Sequence, residues 1–172
     1  MTNAVLDIQI DRRELDRIKK ILKAARYNPA LASGLSEELE EGMIMFGAEV
    51  ANTMKHKISD KTFVDTGALL NSVHVGNNKT IKPDQRNVAA NAAADFFINP
   101  GEPKVHKQGL FNLALYVTAS MSYASRIEEY EGAPPKSGGF AKESLVQNKD
   151  LAPKILAARV NNYWHRVAGR IK

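Results

Sequence analysis

The chain has 172 residues, 44% hydrophobic and 25% charged, which suits one globular domain with enough apolar sequence for a real core. It carries a formal charge of +5 and no cysteine, so disulfides and thiolate metal sites are excluded. No apolar run approaches the roughly 18 residues of a membrane-spanning helix, the start of the chain lacks the basic-then-apolar form of a secretory signal, and the lack of cysteine makes synthesis inside a cell the simpler expectation.

Leu6, Ile8 and Ile10 alternate with Asp7 and Gln9, which predicts a short strand. Asp11 then stands three residues before Glu14, an Asp variant of the capping box that marks a helix start. Leu15, Ile18, Leu22 and Ala25 form an apolar stripe at spacings of three and four, widened by Ile21. This helix should end near Tyr27-Asn28-Pro29, because the residue before proline is pushed out of the α region. Ser33, Gly34 and Ser36 read as the next break. A second helix is predicted from Glu37 to about Lys57, with Leu39, Met43, Phe46, Val50 and Met54 on one face and acidic residues in its first turns. Ile44, Ala48 and Ala51 broaden that face, so this is the expected central core helix, with its methionines as core filling.

The chain changes character at Phe63-Val64-Asp65-Thr66-Gly67-Ala68-Leu69-Leu70-Asn71-Ser72-Val73-His74-Val75-Gly76. Asp65 and Thr66 are good N-caps, Gly67 permits a turn, and Ala68-Leu69-Leu70 can make one or two helical turns. Val73 and Val75 then resume with the period of a half-buried strand, so the segment joins a helix to a sheet. Asp65-Thr66-Gly67 is also the loop that holds the catalytic carboxylate of aspartic proteases. Those enzymes are almost entirely β, whereas here a helical segment precedes the motif and a helical turn follows, so the match lacks its structural context.

Thr80-Ile81-Lys82 is a candidate second strand. The stretch 83–109 is the least regular, with Phe96-Phe97-Ile98 as its apolar knot and Pro100-Gly101-Glu102-Pro103 as a turn cluster. It reads as an extended loop or arm. Phe96 and Phe97 anchor it either on a neighbouring subunit or on its own core. Leu113, Leu115 and Val117 alternate with Ala114, Tyr116 and Thr118 and make the clearest strand. Tyr123 to Tyr130 reads as a short helical turn, and Phe140 to Gln147 as another. Leu151, Ile155, Val160, Trp164, Val167 and Ile171 support a last helix, with Pro153 tolerable in its first turn. Trp164 reads as a packing anchor rather than a stacking platform for bases. The predicted fold is α+β: a small antiparallel sheet packed on a long core helix, with further N- and C-terminal helices and a long arm.

The charges are clustered. Arg12, Arg13, Arg17, Lys19, Lys20, Lys23 and Arg26 enrich the first helix, and Lys149, Lys154, Arg159, Arg166, Arg170 and Lys172 enrich the C-terminal region. Glu37, Glu38, Glu40 and Glu41 form one acidic cluster, and Glu128, Glu129 and Glu131 another. Solvated helix faces are the plain interpretation, and complementary patches between neighbouring subunits are the sharper one. His56, His74, His106 and His165 have no metal-ligand spacing, and no phosphate loop, dinucleotide fingerprint or serine nucleophile elbow is present. No catalytic, cofactor or metal site is expected, beyond the weak Asp65 alternative.

The order of elements resembles the tail-completion or head–tail joining (neck) proteins of tailed bacteriophages. The core helix is followed by Val64-Asp65-Thr66-Gly67-Ala68-Leu69-Leu70-Asn71-Ser72-Val73, then by a strand leading to Tyr123-Ala124 with Glu128-Glu129-Tyr130-Glu131-Gly132, then by Phe140-Ala141 before a further helix. The matching positions are Asp65, Thr66, Gly67, Leu70, Ser72, Tyr123, Ala124 and Phe140; Gly139 stands where the family pattern has a proline, and 83–109 looks like an insertion. The resemblance implies a virion protein, made in the host cytoplasm, whose copies form a ring around the DNA channel at the head–tail junction. A hexamer is favoured, with a twelve-fold ring at the portal side as the alternative. Connector or head-completion and tail-tube or tail-terminator proteins are the implied partners, with passing DNA met without sequence specificity and no membrane. Candidate subunit contacts are Glu37, Glu38, Glu40, Glu41, Phe96, Phe97, Arg166 and Arg170. A non-enzymatic nucleic-acid-binding protein is the main alternative.

Overall fold

The computed structural model describes residues 11–60, 68–76, 105–119, 124–129 and 139–171. The elements run α1 (Arg12–Ala24), α2 (Ala30–Asp60), α3 (Ala68–Asn71), β1 (Val73–Gly76), β2 (His106–Lys107), β3 (Leu113–Ala114), β4 (Tyr116–Ala119), α4 (Ala124–Glu128), α5 (Phe140–Asn148) and α6 (Leu151–Val167), closed by a 3-10 turn at Ala168–Arg170. The fold is α+β: long helices carry a small antiparallel sheet, as the sequence predicts. The expected strands at Leu6–Ile10 and Thr80–Lys82 lie outside the described residues.

Asp11 caps α1, its carboxylate accepting from the Arg13 N–H, and Ile21 is the fully buried residue of that helix. Its stripe is rotated from the predicted one: Ile18, Ile21, Ala24 and Ala25 face the core, whereas Leu15 and Leu22 are exposed.

α2 begins earlier than the sequence suggests and is not interrupted. Asn28 accepts from the Ala30 N–H through its side chain, and Pro29, whose fixed φ suits a first helical turn, leads in. The helix then runs 31 residues, about 46 Å, straight through Ser33, Gly34 and Ser36. These small residues form a packing notch instead of a break. A Cβ on Gly34 would stand 2.5 Å from the Tyr163 hydroxyl and 2.9 Å from its ring. Ser36 is buried and donates to the Leu110 carbonyl. The acidic residues therefore sit in the second and third turns, and the first turn of α2 has none.

Two hydrophobic clusters are strung along α2. Toward its start, Leu31 and Leu35 pack with Ile21 of α1 and with Val160, Tyr163 and Val167 of α6. Toward its end, Val50, Ala51, Met54 and Ile58 pack with Leu69, Leu70, Val73, Ala124 and Phe140. The expectation of a central core helix holds. The buried face of α6 is Ala152, Leu156, Val160, Tyr163 and Val167, spaced 4, 4, 3 and 4, which corrects the looser predicted set: Leu151 is exposed and Trp164 half-buried. Trp164 packs on the first cluster with the Lys20 ammonium 5.8 Å from its ring centroid.

The strand predicted across Leu113–Thr118 is two strands in two sheets. β3 pairs antiparallel with β2 (His106↔Ala114), and β4 pairs antiparallel with β1 (His74↔Thr118). The division falls at Leu115, whose Cδ2 comes within 2.5 Å of where a Gly47 Cβ would lie. Sheet and helix approach closely there, with the Leu115 and Val75 side chains against Gly47. The predicted arm at 83–109 ends sooner than expected, since Val105 is already buried and His106–Lys107 is strand. The remainder, with Phe96 and Phe97, lies outside the described residues.

The notch at Gly34 yields a stability prediction. Gly34→Ala gains about 1 kcal/mol of helix propensity but forces the Tyr163 ring out of place, and overpacking of this kind costs typically 1–3 kcal/mol. Because the ring is also tied by its hydroxyl to the Leu31 carbonyl at 3.0 Å, the clash should win, with a net loss of roughly 1–2 kcal/mol in urea unfolding. Gly169→Ala, with nothing within 4 Å, should stay within about 0.5 kcal/mol of the parent.

Candidate functional site

Of the sequence-predicted motif positions, the described residues place Leu70, Ser72, Ala124 and Phe140 near the α3–β1 junction. Ser72 closes α3, its hydroxyl donating to the Leu69 carbonyl at 2.7 Å and its N–H to the same oxygen at 3.1 Å. The Ser72 carbonyl lies 2.9 Å from His74 Nδ1, and His74 Nε2 lies 2.7 Å from Thr118 Oγ1 on the paired strand. A neutral imidazole satisfies both by donating from Nδ1 and accepting at Nε2. His74, isolated in sequence, thus pins the turn to the sheet. Leu70, Ala124 and Phe140 are buried in one cluster on α2, and Ser72 is buried beside them. Asp65, Thr66, Gly67 and Tyr123 lie outside the described residues. Among the described residues the surroundings are mainly apolar, and the buried polar side chains are bonded within the fold, Ser72 to the Leu69 carbonyl, Ser144 to the Phe140 carbonyl and Asn148 to Thr53.

Glu128, read from the sequence as part of an acidic cluster and of the family-like element, holds this junction in a role that reading did not foresee. From the end of α4 it reaches the start of α5. Its two carboxylate oxygens accept from the Ala141 and Lys142 N–H groups at 2.9 and 3.0 Å, and its carbonyl accepts from the Gly139 N–H at 2.7 Å. Gly139 precedes α5 with φ +83° and offers no side-chain cap. That conformation is closed to proline, whose ring fixes φ near −65°, and it suits glycine. The missing cap comes instead from a carboxylate 13 residues away in sequence, which also suits the positive end of the helix. No local spacing rule contains such a pair. On the other side of α5, Asn148 is buried and donates to Thr53 of α2 and to the Ser144 carbonyl.

The charged clusters meet within the chain. Glu38, with its side chain 11% exposed, lies between Arg166 and Arg159 of α6 (3.4 Å to the latter), while Glu41 pairs with Arg159 at 2.6 Å and Glu40 with Lys107. Complementarity foreseen between subunits is therefore satisfied inside one subunit for Glu38, Glu40, Glu41 and Arg166. The sequence missed this because the pairs are separated by more than 60 residues and depend on α2 lying beside α6 and, for Glu40, beside β2. Glu37 and Arg170 are exposed.

Between α1 and α6 lies an open groove of about 390 Å³, lined by Arg13, Glu14, Arg17, Ala157, Ala158, Asn161 and His165. Arg17 is paired with Glu14 at 3.2 Å, and Asn161 Oδ1 is buried without a hydrogen-bond partner. Among the described residues no three His, Asp or Glu side chains gather as a metal site, and no helix is long and apolar enough to cross a membrane. Burial pushes the Lys55 ammonium below its ordinary value of 10.5. Burial, with the neighbouring Glu37 carboxylate, pushes the Tyr163 phenol above its ordinary 10.0 against the opposing pull of Arg170.

Two expected outcomes follow from this geometry. Glu128→Ala should cost about 1.5–3 kcal/mol, because two charge-assisted bonds to helix N–H groups are lost, whereas exposed Glu129→Ala should be near neutral; chemical denaturation of both variants checks this. The raised phenol of Tyr163 means that the unfolded chain sheds its proton first as pH rises. Its contribution to stability is full below pH 10.0 and is lost as pH climbs through the higher folded value. Ultraviolet titration should show a tyrosine step above pH 10.0 that disappears in Tyr163→Phe.

Comparison with protein-family models, with curated proteins and with solved structures returns no match for this chain.

Proposed function

We propose that the chain is a structural subunit of the neck of a tailed bacteriophage, building a ring that joins or completes the head–tail interface around the DNA channel. One observation carries the reading. Leu70, Ala124 and Phe140 come from the three short elements that resemble the neck family, and they pack in one cluster at one end of α2 although they span about 70 residues of sequence, with Ser72 buried and bonded to the Leu69 carbonyl. The gathered side chains are apolar and buried, which supports a packing role for these elements rather than a reaction. The described site accordingly offers packing and capping, with its polar groups used to tie α3, β1 and α5 together.

The work of such a subunit is adhesion. Closed rings use heterologous contacts, in which one patch meets a different patch on the next copy. The hexamer remains the favoured ring and the twelve-fold ring the alternative, with connector or head-completion and tail-tube or tail-terminator proteins as neighbours. Glu37 and Arg170, facing solvent, remain candidates for those contacts, as do Phe96 and Phe97 in the arm. A second reading, sequence-independent nucleic-acid binding, is favoured by the exposed Arg12, Arg13, Lys19, Lys20, Lys23 and Arg26 of the α1 region.

Negative-stain microscopy of the purified protein, alone and mixed with a candidate tail tube, tests the reading. Rings, or stable co-assembly with the tube, are the expected result. Absence of the chain from assembled virions, or peptide cleavage lost in Asp65→Asn with the fold intact, would overturn it. A monomer that binds DNA with steep salt dependence favours the second reading.

A further inference from the structure

The helix α1 turns a second face outward. Arg12, Leu15, Lys19 and Leu22 recur at spacings of 3, 4 and 3, which places them on one side of α1, Arg26 follows in the turn past its end, and all five are exposed. Leu15 and Leu22 are 40% and 37% exposed, so this face interleaves cations with apolar side chains. Helix stability does not explain the cations at its start, since positive charge in a first turn opposes the helix dipole. Phosphate attraction does not explain the leucines.

A matching row lies on α2. Glu37, Glu41, Met45 and Glu49 stand four residues apart along one ridge, and all are exposed, Met45 to 46%. Glu41 already meets Arg159, yet a carboxylate has about four acceptor sites and can take a second cation. From Arg12 to Leu22 the helical part of the first row spans about 15 Å, with Arg26 in the turn beyond it, and from Glu37 to Glu49 the second spans about 18 Å. Three positive charges with two leucines face three negative charges with one methionine over comparable lengths.

We infer that the outer face of α1 docks on the Glu37–Glu49 ridge of α2 in a second copy of this chain. The contact is heterologous, so each copy offers one patch forward and the other backward, as a ring requires. This rests on the reading of the chain as a self-assembling subunit and names the seam. A single helix seam covers far less than the roughly 800 Å² per partner of a standard interface, so a single contact is weak and ring closure holds the assembly.

The test uses the full chain with two charge-reversed variants, Lys19→Glu/Arg26→Glu in the α1 row and Glu37→Lys/Glu49→Lys on α2, at exposed positions outside the ion-pair cluster of Glu38, Arg159 and Arg166. Sedimentation velocity up to about millimolar concentration and negative stain report association, and circular dichroism confirms folding. The wild type should associate, and each variant alone should associate at least about tenfold more weakly. Mixed one to one, the variants should recover association, alternating around a ring of even copy number. Leu15→Ser/Leu22→Ser should also weaken it while leaving DNA retention unchanged. Wild-type rings that persist in both reversed variants would overturn this seam and leave the neck reading intact. Loss of DNA retention alone in the α1 variant would overturn it in favour of a nucleic-acid face. A wild type that stays monomeric yet joins a tail tube removes the seam only; one that does neither removes both.

Discussion

Everything described here depends on α2 staying continuous for 31 residues while other elements come very close to it. Two glycines make the approach possible. At Gly34 the Tyr163 ring occupies the space of a side chain, and at Gly47 the Leu115 and Val75 side chains do so. Glycine within a helix is unfavourable by roughly 0.5–1 kcal/mol relative to alanine, and the packing it admits offsets that loss. The aromatic ring on one side and the sheet on the other fix where α6 and β1–β4 sit.

That constraint explains how polar groups are placed. Along the α2–α6 seam a largely buried Glu38 is acceptable only because two guanidinium groups flank it; alone, a buried carboxylate would be costly. At the other end the chain uses Glu128 to finish α5, where Gly139 cannot cap it. Both arrangements knit elements distant in sequence. Both leave much of the outer faces of α1 and α2 exposed, although Glu41 and Met45 on α2 also meet Arg159 of α6, and such exposed faces are where a surface for partners is best located.

Periodicity made the helices and β1 legible, because apolar spacing survives into the structure wherever an element has one buried side. Asp11, the Leu69–Val73 junction and Phe140 behave as their residue types suggest. The errors have a common origin. Ser33, Gly34 and Ser36 look like loop residues to any local rule, but small side chains also mark where two helices touch. Leu113 to Thr118 alternates as one strand should, yet its hydrogen bonds go to two different partners. The Glu38–Arg166 pair and the reach of Glu128 depend on tertiary placement that no spacing encodes. The opening of the junction motif, Asp65-Thr66-Gly67, lies outside the described residues, so its capping role stands as an expectation from chemistry alone.

A single rod threading two oily clusters has a mechanical consequence. If the half near Leu31 loosens, the backbone that walls the half near Met54 begins to fray with it, because no hinge separates them. Heat or pulling force should therefore find one melting event here, with the rod acting as the spine that makes distant parts give way together.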